Sequence, residues 1–244
     1  MPIAEPPYEH MRYVYLEWSL ILLAIWAGAY LARPAFRQKM LAVSGWTSLL
    51  GLSEPFFVPR YWTPPTLLDL AARTGFDVES LIFAFAAGGL ASTLYDELTG
   101  RATVPMSLTA RHARRHRLHE WALAAPLPVF FGLGVLTPLN PIYVTEAALA
   151  AGALATVACR PDLWRRTLLG AGIFLALYFL YFVSLVSVHP TYVRQVWNLH
   201  ALSGVLIAGI PLEELLFAVT LGSMWAALYE HWSWRREVRR PSRA

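Results

Sequence analysis

The 244-residue sequence has one cysteine, Cys159, and one lysine, Lys39. A single cysteine excludes an intramolecular disulfide and any cysteine-based metal site, and Cys159 reads as a small residue at a helix end. A single lysine, between the first two apolar runs, rules out a retinal Schiff base in the last one. Charge is scarce as well. Only 15% of residues are Asp, Glu, Lys or Arg, against roughly 25% in a soluble domain. With 57% hydrophobic residues and a mean hydropathy of +0.44, the chain is expected to be an integral membrane protein. No Gly-x-Gly-x-x-Gly follows a strand, and Gly132-Leu-Gly134 and Gly170-Ala-Gly172 lack the third glycine, so no dinucleotide or other cofactor site is expected. The residues before the first apolar run include Glu5 and Glu9, unlike the positive start of a signal peptide.

What is present is a series of apolar segments, roughly Tyr13–Leu31, Leu41–Val58, Phe76–Leu94, Trp121–Leu136, Ile142–Ala158, Leu168–Val188 and Ser203–Leu228. They predict an all-α fold of seven transmembrane helices, because backbone in lipid must satisfy its own hydrogen bonds. Basic residues gather in alternate connections, which removes a nucleic-acid reading of the +4 net charge. Arg33, Arg37 and Lys39 lie in one connection; Arg101, Arg111, Arg114, Arg115 and Arg117 in another. Arg160, Arg165 and Arg166 lie in the third; Arg235, Arg236, Arg239, Arg240 and Arg243 in the tail. That is 16 of 20 basic residues, with Arg12, Arg60, Arg73 and Arg194 opposite. The positive-inside rule then puts the N-terminus outside and the C-terminus in the cytoplasm, and a bacterial inner membrane is the expected setting. Tyr13, Tyr15, Trp18, Tyr61, Trp62, Tyr192, Trp197, Trp232 and Trp234 cluster at segment ends as an interfacial belt would. The loop from Arg111 to His119 reads as a solvated basic loop touching headgroups, with no metal assigned. Glu146 and His200 are also expected to meet headgroups.

The anomaly is Gly209-Ile-Pro211-Leu-Glu213-Glu214-Leu-Leu-Phe217, which puts two adjacent carboxylates inside the last apolar run. About ten residues into a membrane helix is about 15 Å deep, and an acid there is costly enough to suggest function. The stretch has a counterpart. At a constant offset of 134, seven of 22 positions are identical between the segments starting at Asp77 and Pro211: Glu79/Glu213, Leu81/Leu215, Phe83/Phe217, Ala84/Ala218, Gly88/Gly222, Leu94/Leu228 and Tyr95/Tyr229. Trp62 and Trp197 precede the shared Glu by 17 and 16 residues. This predicts two parallel three-helix repeats, residues 12–98 and 142–232. A basic loop and linker helix (99–141) joins them, and a basic tail (233–244) follows. In such parallel repeats the site lies between the halves, where Glu79 and Glu213 would face each other.

Residues four apart share a helix face, which sets Phe217 beside Glu213 and Phe83 beside Glu79. Pro211 within the helix would kink it and free the carbonyl of Ile207. A carboxyl out of water favours its protonated form, and paired acids divide into donor and acceptor. Aromatic faces stabilise a cation. Acid, base, aromatic rings and exclusion of water suit carbocation chemistry on an apolar alkene. Glutamate intramembrane proteases share the Glu pair but carry Arg five residues after the first Glu, where this chain has Ala218, and need later histidines within the membrane.

These residues resemble the lycopene cyclase domain family, the small membrane type, over about residues 12 to 232. The Pro211-x-Glu213-Glu214 motif carries the resemblance, with its weaker copy at Asp77-Val-Glu79-Ser80. The resemblance implies cyclisation of the linear ends of a lipophilic polyene, lycopene or a related carotenoid, to ionone rings without net redox change. It implies Glu213 and Glu214 as acid and base, with Glu79 as their counterpart. Phe217, Phe83, Pro211, Asp77, Trp197 and Trp62 would line the substrate, and other carotenoid-pathway enzymes are implied as partners. Where the pattern has Pro and a second Glu in the first repeat, this chain has Asp77 and Ser80, and Asp77 stands in for the missing acid. The rival reading is a non-enzymatic carotenoid-binding subunit or proton-coupled carrier using the same acids. A carrier needs polar stripes on several helices, and the sixth segment offers only Tyr178, Tyr181, Ser184 and Ser187.

Overall fold

A computed structural model describes residues 11–68 and 70–239. Glu5 and Glu9 of the N-terminus and Arg240 and Arg243 of the basic tail lie outside the described residues. Helix α1 (Val14–Ala32) ends at Arg33, whose φ of −130° and ψ of 77° reflect the exclusion of helical geometry before a proline. Pro34 opens a 3-10 turn into α2 (Arg37–Ser48), which passes through a second 3-10 stretch, Leu49–Ser53, to α3 (Glu54–Phe57). Then come α4 (Ala71–Thr74), α5 (Val78–Thr99), β1 (Arg101–Pro105) and α6 (Leu108–Arg111). Helices α7 (His119–Ala124) and α8 (Pro126–Leu136) meet at Ala125, which keeps helical angles. Pro126 and Pro128 lack the N–H groups that would bond the ladder across that joint. Helix α9 (Pro141–Cys159) ends as α1 does. Arg160 takes φ −126° and ψ 74° before Pro161, and a 3-10 turn leads into α10 (Trp164–Val188). The chain closes with α11 (Tyr192–Val196), β2 (Leu206–Ile207), β3 (Ile210–Pro211), α12 (Leu212–Trp232) and β4 (Arg235–Arg239).

The fold is therefore mostly helical with little sheet. Among the described residues five helices are long and apolar enough to cross a membrane: α1, α5, α9, α10 with its leading turn, and α12. This is consistent with an integral membrane protein. The second and fourth apolar segments are helical but interrupted, one by the 3-10 stretch at Leu49–Ser53 and one by the proline joint. At Gly51 the 3-10 stretch lies against the backbone of Leu81, where a Cβ would sit 2.9 Å from Leu81 Cα.

The last apolar segment needs correction. Ser203–Pro211 is not helical; β2 and β3 pair antiparallel, Leu206 with Pro211 and Ile207 with Ile210. Ala208 (φ 52°) and Gly209 (φ 80°) both lie in the left-handed region, the requirement of a tight two-residue hairpin. Helix α12 starts immediately after Pro211, so the proline bends no helix, and Ile207 belongs to a strand. Glu213 and Glu214 lie in the first helical turn rather than half-way along a membrane helix.

The chain divides into two compact units, Met1–Leu90 with Leu180–Leu212, and Ala91–Phe179 with Glu213–Ala244. In the first unit the aromatic residues expected at the membrane interface are largely buried: Tyr15, Trp18, Tyr61, Tyr192 and Trp197. Trp18 Nε1 donates to Ser184 Oγ (3.0 Å), and Trp62 and Trp197 form a β-bridge with ring centroids 5.5 Å apart. Tyr13 and Trp232 alone of that set remain clearly exposed among the described side chains.

In the second unit β1 and β4 form an antiparallel ribbon, Val104 opposite Arg236, which joins the connection after α5 to that after α12. Arg160, at the end of α9, donates to the carbonyls of Glu230 and Arg235, so a third basic connection reaches the same end. Gly170 and Gly222 let α10 and α12 approach closely; a Cβ on Gly222 would lie 2.9 Å from the Gly170 carbonyl oxygen. Arg166, counted above among loop charges, is fully buried. It is paired with Asp96 (Nη2–Oδ1 2.5 Å), Glu230 (3.3 Å) and Glu237 (2.9 Å). Removing a partner from such a group strands buried charge at a cost of about 3–5 kcal/mol. Arg166→Leu should therefore lower the unfolding free energy in detergent by about that amount. Arg166→Lys should recover only part, because an ammonium cannot serve three carboxylates with a planar fork.

Candidate functional site

The two acid-bearing helices place their acids alike, in the first turn, where unpaired N–H groups favour negative charge. Their surroundings differ.

In the first unit Glu79 is buried, and its Oε1 accepts the backbone N–H of Leu67 (2.8 Å). Asp77 Oδ1 accepts the N–H of Ala71 (3.0 Å), while the N–H of Asp77 donates to Glu54 Oε2 (2.6 Å). Ser80 shares a hydrogen bond with the Tyr15 hydroxyl at 3.0 Å. Tyr15 packs edge-on against Trp62 at 4.8 Å, and Phe83 lies 6.4 Å from Tyr181. These carboxylates grip backbone, and so they fix the loop that leads into α5.

In the second unit the acids meet side chains. Glu213 and Glu214 are 1% and 5% exposed. The Tyr143 hydroxyl donates to Glu213 Oε1 at 2.6 Å, and the Tyr178 hydroxyl to Glu214 Oε2 at 2.7 Å. Glu146, one turn along α9 from Tyr143, is buried close enough to couple electrostatically to both. Its Oε1 has no hydrogen-bond partner among the described residues. Phe217 follows one turn after Glu213, its ring 6.1 Å from that of Tyr178. Three carboxyl groups, two phenols and an aromatic face thus gather where α9, α10 and the start of α12 meet.

Two expectations change here, and one residue joins the cluster. Glu146 is not a headgroup contact; the register of α9 turns it inward with Tyr143. Tyr143 itself escaped notice, although its i, i+3 spacing to Glu146 put both on one face. Pro211 is buried but ends the hairpin, so its part is to set where α12 begins. Trp62 and Trp197 contact each other in the first unit, with Trp197 also edge-on to Phe182 at 5.9 Å.

Residues 140–232 match the family model described as Lycopene cyclase. The match supports the lycopene cyclase domain family. It spans Tyr143, Glu146, Tyr178, Glu213, Glu214 and Phe217, every member of the second cluster, whereas Asp77 and Glu79 lie before it. No curated protein and no solved structure matches the chain. The lycopene cyclase match therefore rests on the half of the chain where the acids meet phenols.

The difference between the clusters is measurable. Glu79→Gln keeps an acceptor for the Leu67 amide and should leave stability nearly unchanged. Glu79→Ala should cost about 1–3 kcal/mol and speed hydrogen exchange at Leu67, since a buried N–H loses its partner.

Proposed function

We propose that the chain is a membrane-embedded carotenoid cyclase that closes linear polyene ends into rings by protonation, cyclisation and deprotonation. The observation that carries this is the second cluster, two adjacent buried carboxyls each oriented by its own tyrosine, inside the lycopene cyclase match. One carboxyl of the Glu213–Glu214 pair delivers a proton to the terminal double bond. The tertiary cation is attacked by the next alkene, and a carboxylate then removes a ring proton. One proton enters and one leaves, so no redox partner is consumed. Tyr143 and Tyr178 hold the acids in place, the Phe217 ring stabilises positive charge, and Glu146 supplies a third site for the proton. Glu79 and Asp77 act in this reading as the first-half counterparts that shape the substrate path.

A duplicated seven-span architecture fits the same reading. It is supported by the matched Arg-Pro corners after α1 and α9, by the Trp62–Trp197 pairing, and by the start of each acid helix one residue before the shared Glu, at Val78 and at Leu212. Convergence of the basic ends of α5, α9 and α12 supports placing them together on the cytoplasmic face. Reporter fusions check this: a C-terminal phosphatase should be silent and an N-terminal one active in a bacterial host.

Expression in lycopene-accumulating cells tests the chemistry. Cyclic pigment should form, and Glu213→Gln should lower its yield by about 10²–10⁴-fold, as expected for loss of a general acid or base. Tyr143→Phe should cost about tenfold to a hundredfold through the lost hydrogen bond to a carboxylate. Bound but unchanged lycopene would favour the carotenoid-binding alternative.

A further inference from the structure

The loop from Arg111 to His119 exposes Arg114, Arg115 and Arg117, but two of its histidines turn inward. His116 and His119 are buried, and they converge with two residues far away in sequence, Cys159 at the end of α9 and His231 at the end of α12. The donor atoms of His119, Cys159 and His231 all lie within 4.8 Å of one another. Cys159 Sγ is 3.7 Å from His119 Nδ1 and 3.6 Å from His116 Nδ1. A zinc ion with bonds of about 2.3 Å to sulfur and 2.0–2.1 Å to nitrogen, arranged tetrahedrally, sets an S–N edge of about 3.6 Å.

We infer that His119, Cys159 and His231 form a binding site for a borderline-soft divalent metal ion, Zn²⁺ by donor set, with a fourth position left for water. The surroundings are those a metal site requires. Arg115 Nε donates to His116 Nε2 (3.2 Å), which leaves the ring hydrogen on Nδ1, directed at Sγ. His116 is therefore a donor to the thiolate rather than a ligand. Thr156 Oγ1 lies 3.1 Å from His231 Nδ1. With that nitrogen donating, Nε2 presents its lone pair, and Nε2 is buried without a hydrogen-bond partner among the described residues. Such outer partners fix the ring and its tautomer. Trp234 stacks on His119 at 3.7 Å and 18°, and its φ of 53°, costly for an aromatic residue, shows that the surrounding structure holds it there.

Binding exchanges the thiol proton of Cys159 for the metal, with the proton passing to solvent. The site would clamp the connection after β1 to the ends of α9 and α12, independently of the acids at the other end of α12. The inference stands apart from the cyclase reading, and its test needs no carotenoid.

The test uses full-length, tag-free protein in detergent. Elemental analysis should find one zinc per chain, and Co²⁺ added to the metal-free protein should give a thiolate-to-cobalt charge-transfer band that Zn²⁺ abolishes. Cys159→Ser should lose the band, His119→Gln and His231→Gln should weaken binding, and Thr156→Val should weaken it about tenfold. His112→Gln, an exposed histidine of the same loop, should change nothing. Wild-type protein that takes up neither ion stoichiometrically overturns the inference even if the variants fail to fold. Binding that survives Cys159→Ser with an unchanged spectrum does so too.

Discussion

Charge removed from water has to be answered locally, and most of this structure follows from that. An unpaired carboxylate in an apolar interior costs several kcal/mol. The chain buries many, and it answers them in three ways. Glu79 and Asp77 take backbone amides. Asp96, Glu230 and Glu237 share one arginine. Glu213 and Glu214 take phenols. The third sets two adjacent acids on short phenol bonds of 2.6 and 2.7 Å, whereas Tyr95 adds only a 3.4 Å contact to the arginine-held Glu237. Backbone amides and a guanidinium hold a carboxylate still; a phenol both donates and accepts. The contrast separates scaffold from site more clearly than burial does, since all these acids but the half-buried Glu237 are buried.

The proposed duplication rests on features that the two halves share. Each ends its first helix at an Arg-Pro corner, and each starts its acid helix at a matched position. The phenols that reach the residue after the shared glutamate are not counterparts. Ser80 meets Tyr15 of α1, and the bond ties helix to helix. Glu214 meets Tyr178 of α10, and there the phenol orients an acid.

Much of the helical framework was legible in the residues, because long apolar runs admit few alternatives. The acid motif was legible too, and Glu79 and Glu213 both fall in the first turn of their helices. The start of α12 was not, since Ser203–Pro211 is as apolar as the helix after it. Its hairpin is declared only by Gly204, Gly209 and a left-handed Ala208. Arg166 and the aromatic ends looked interfacial, because hydropathy cannot tell a charge at a lipid surface from one folded inward onto partners. The histidine–cysteine cluster escaped for another reason. His119, Cys159 and His231 are separated by 40 and 72 positions, and no local spacing rule joins them.

The short hairpin before α12 also works as an indexing device. A helix turns about 100° per residue, and the antiparallel pairing pins the residue at which turning begins. One residue gained or lost between Ile207 and Leu212 would shift by about a quarter-turn the point in the helical cycle at which α12 begins, while the rest of the helix kept its composition. The starting point of the acid-bearing helix is thus written in a four-residue ribbon rather than in the helix itself.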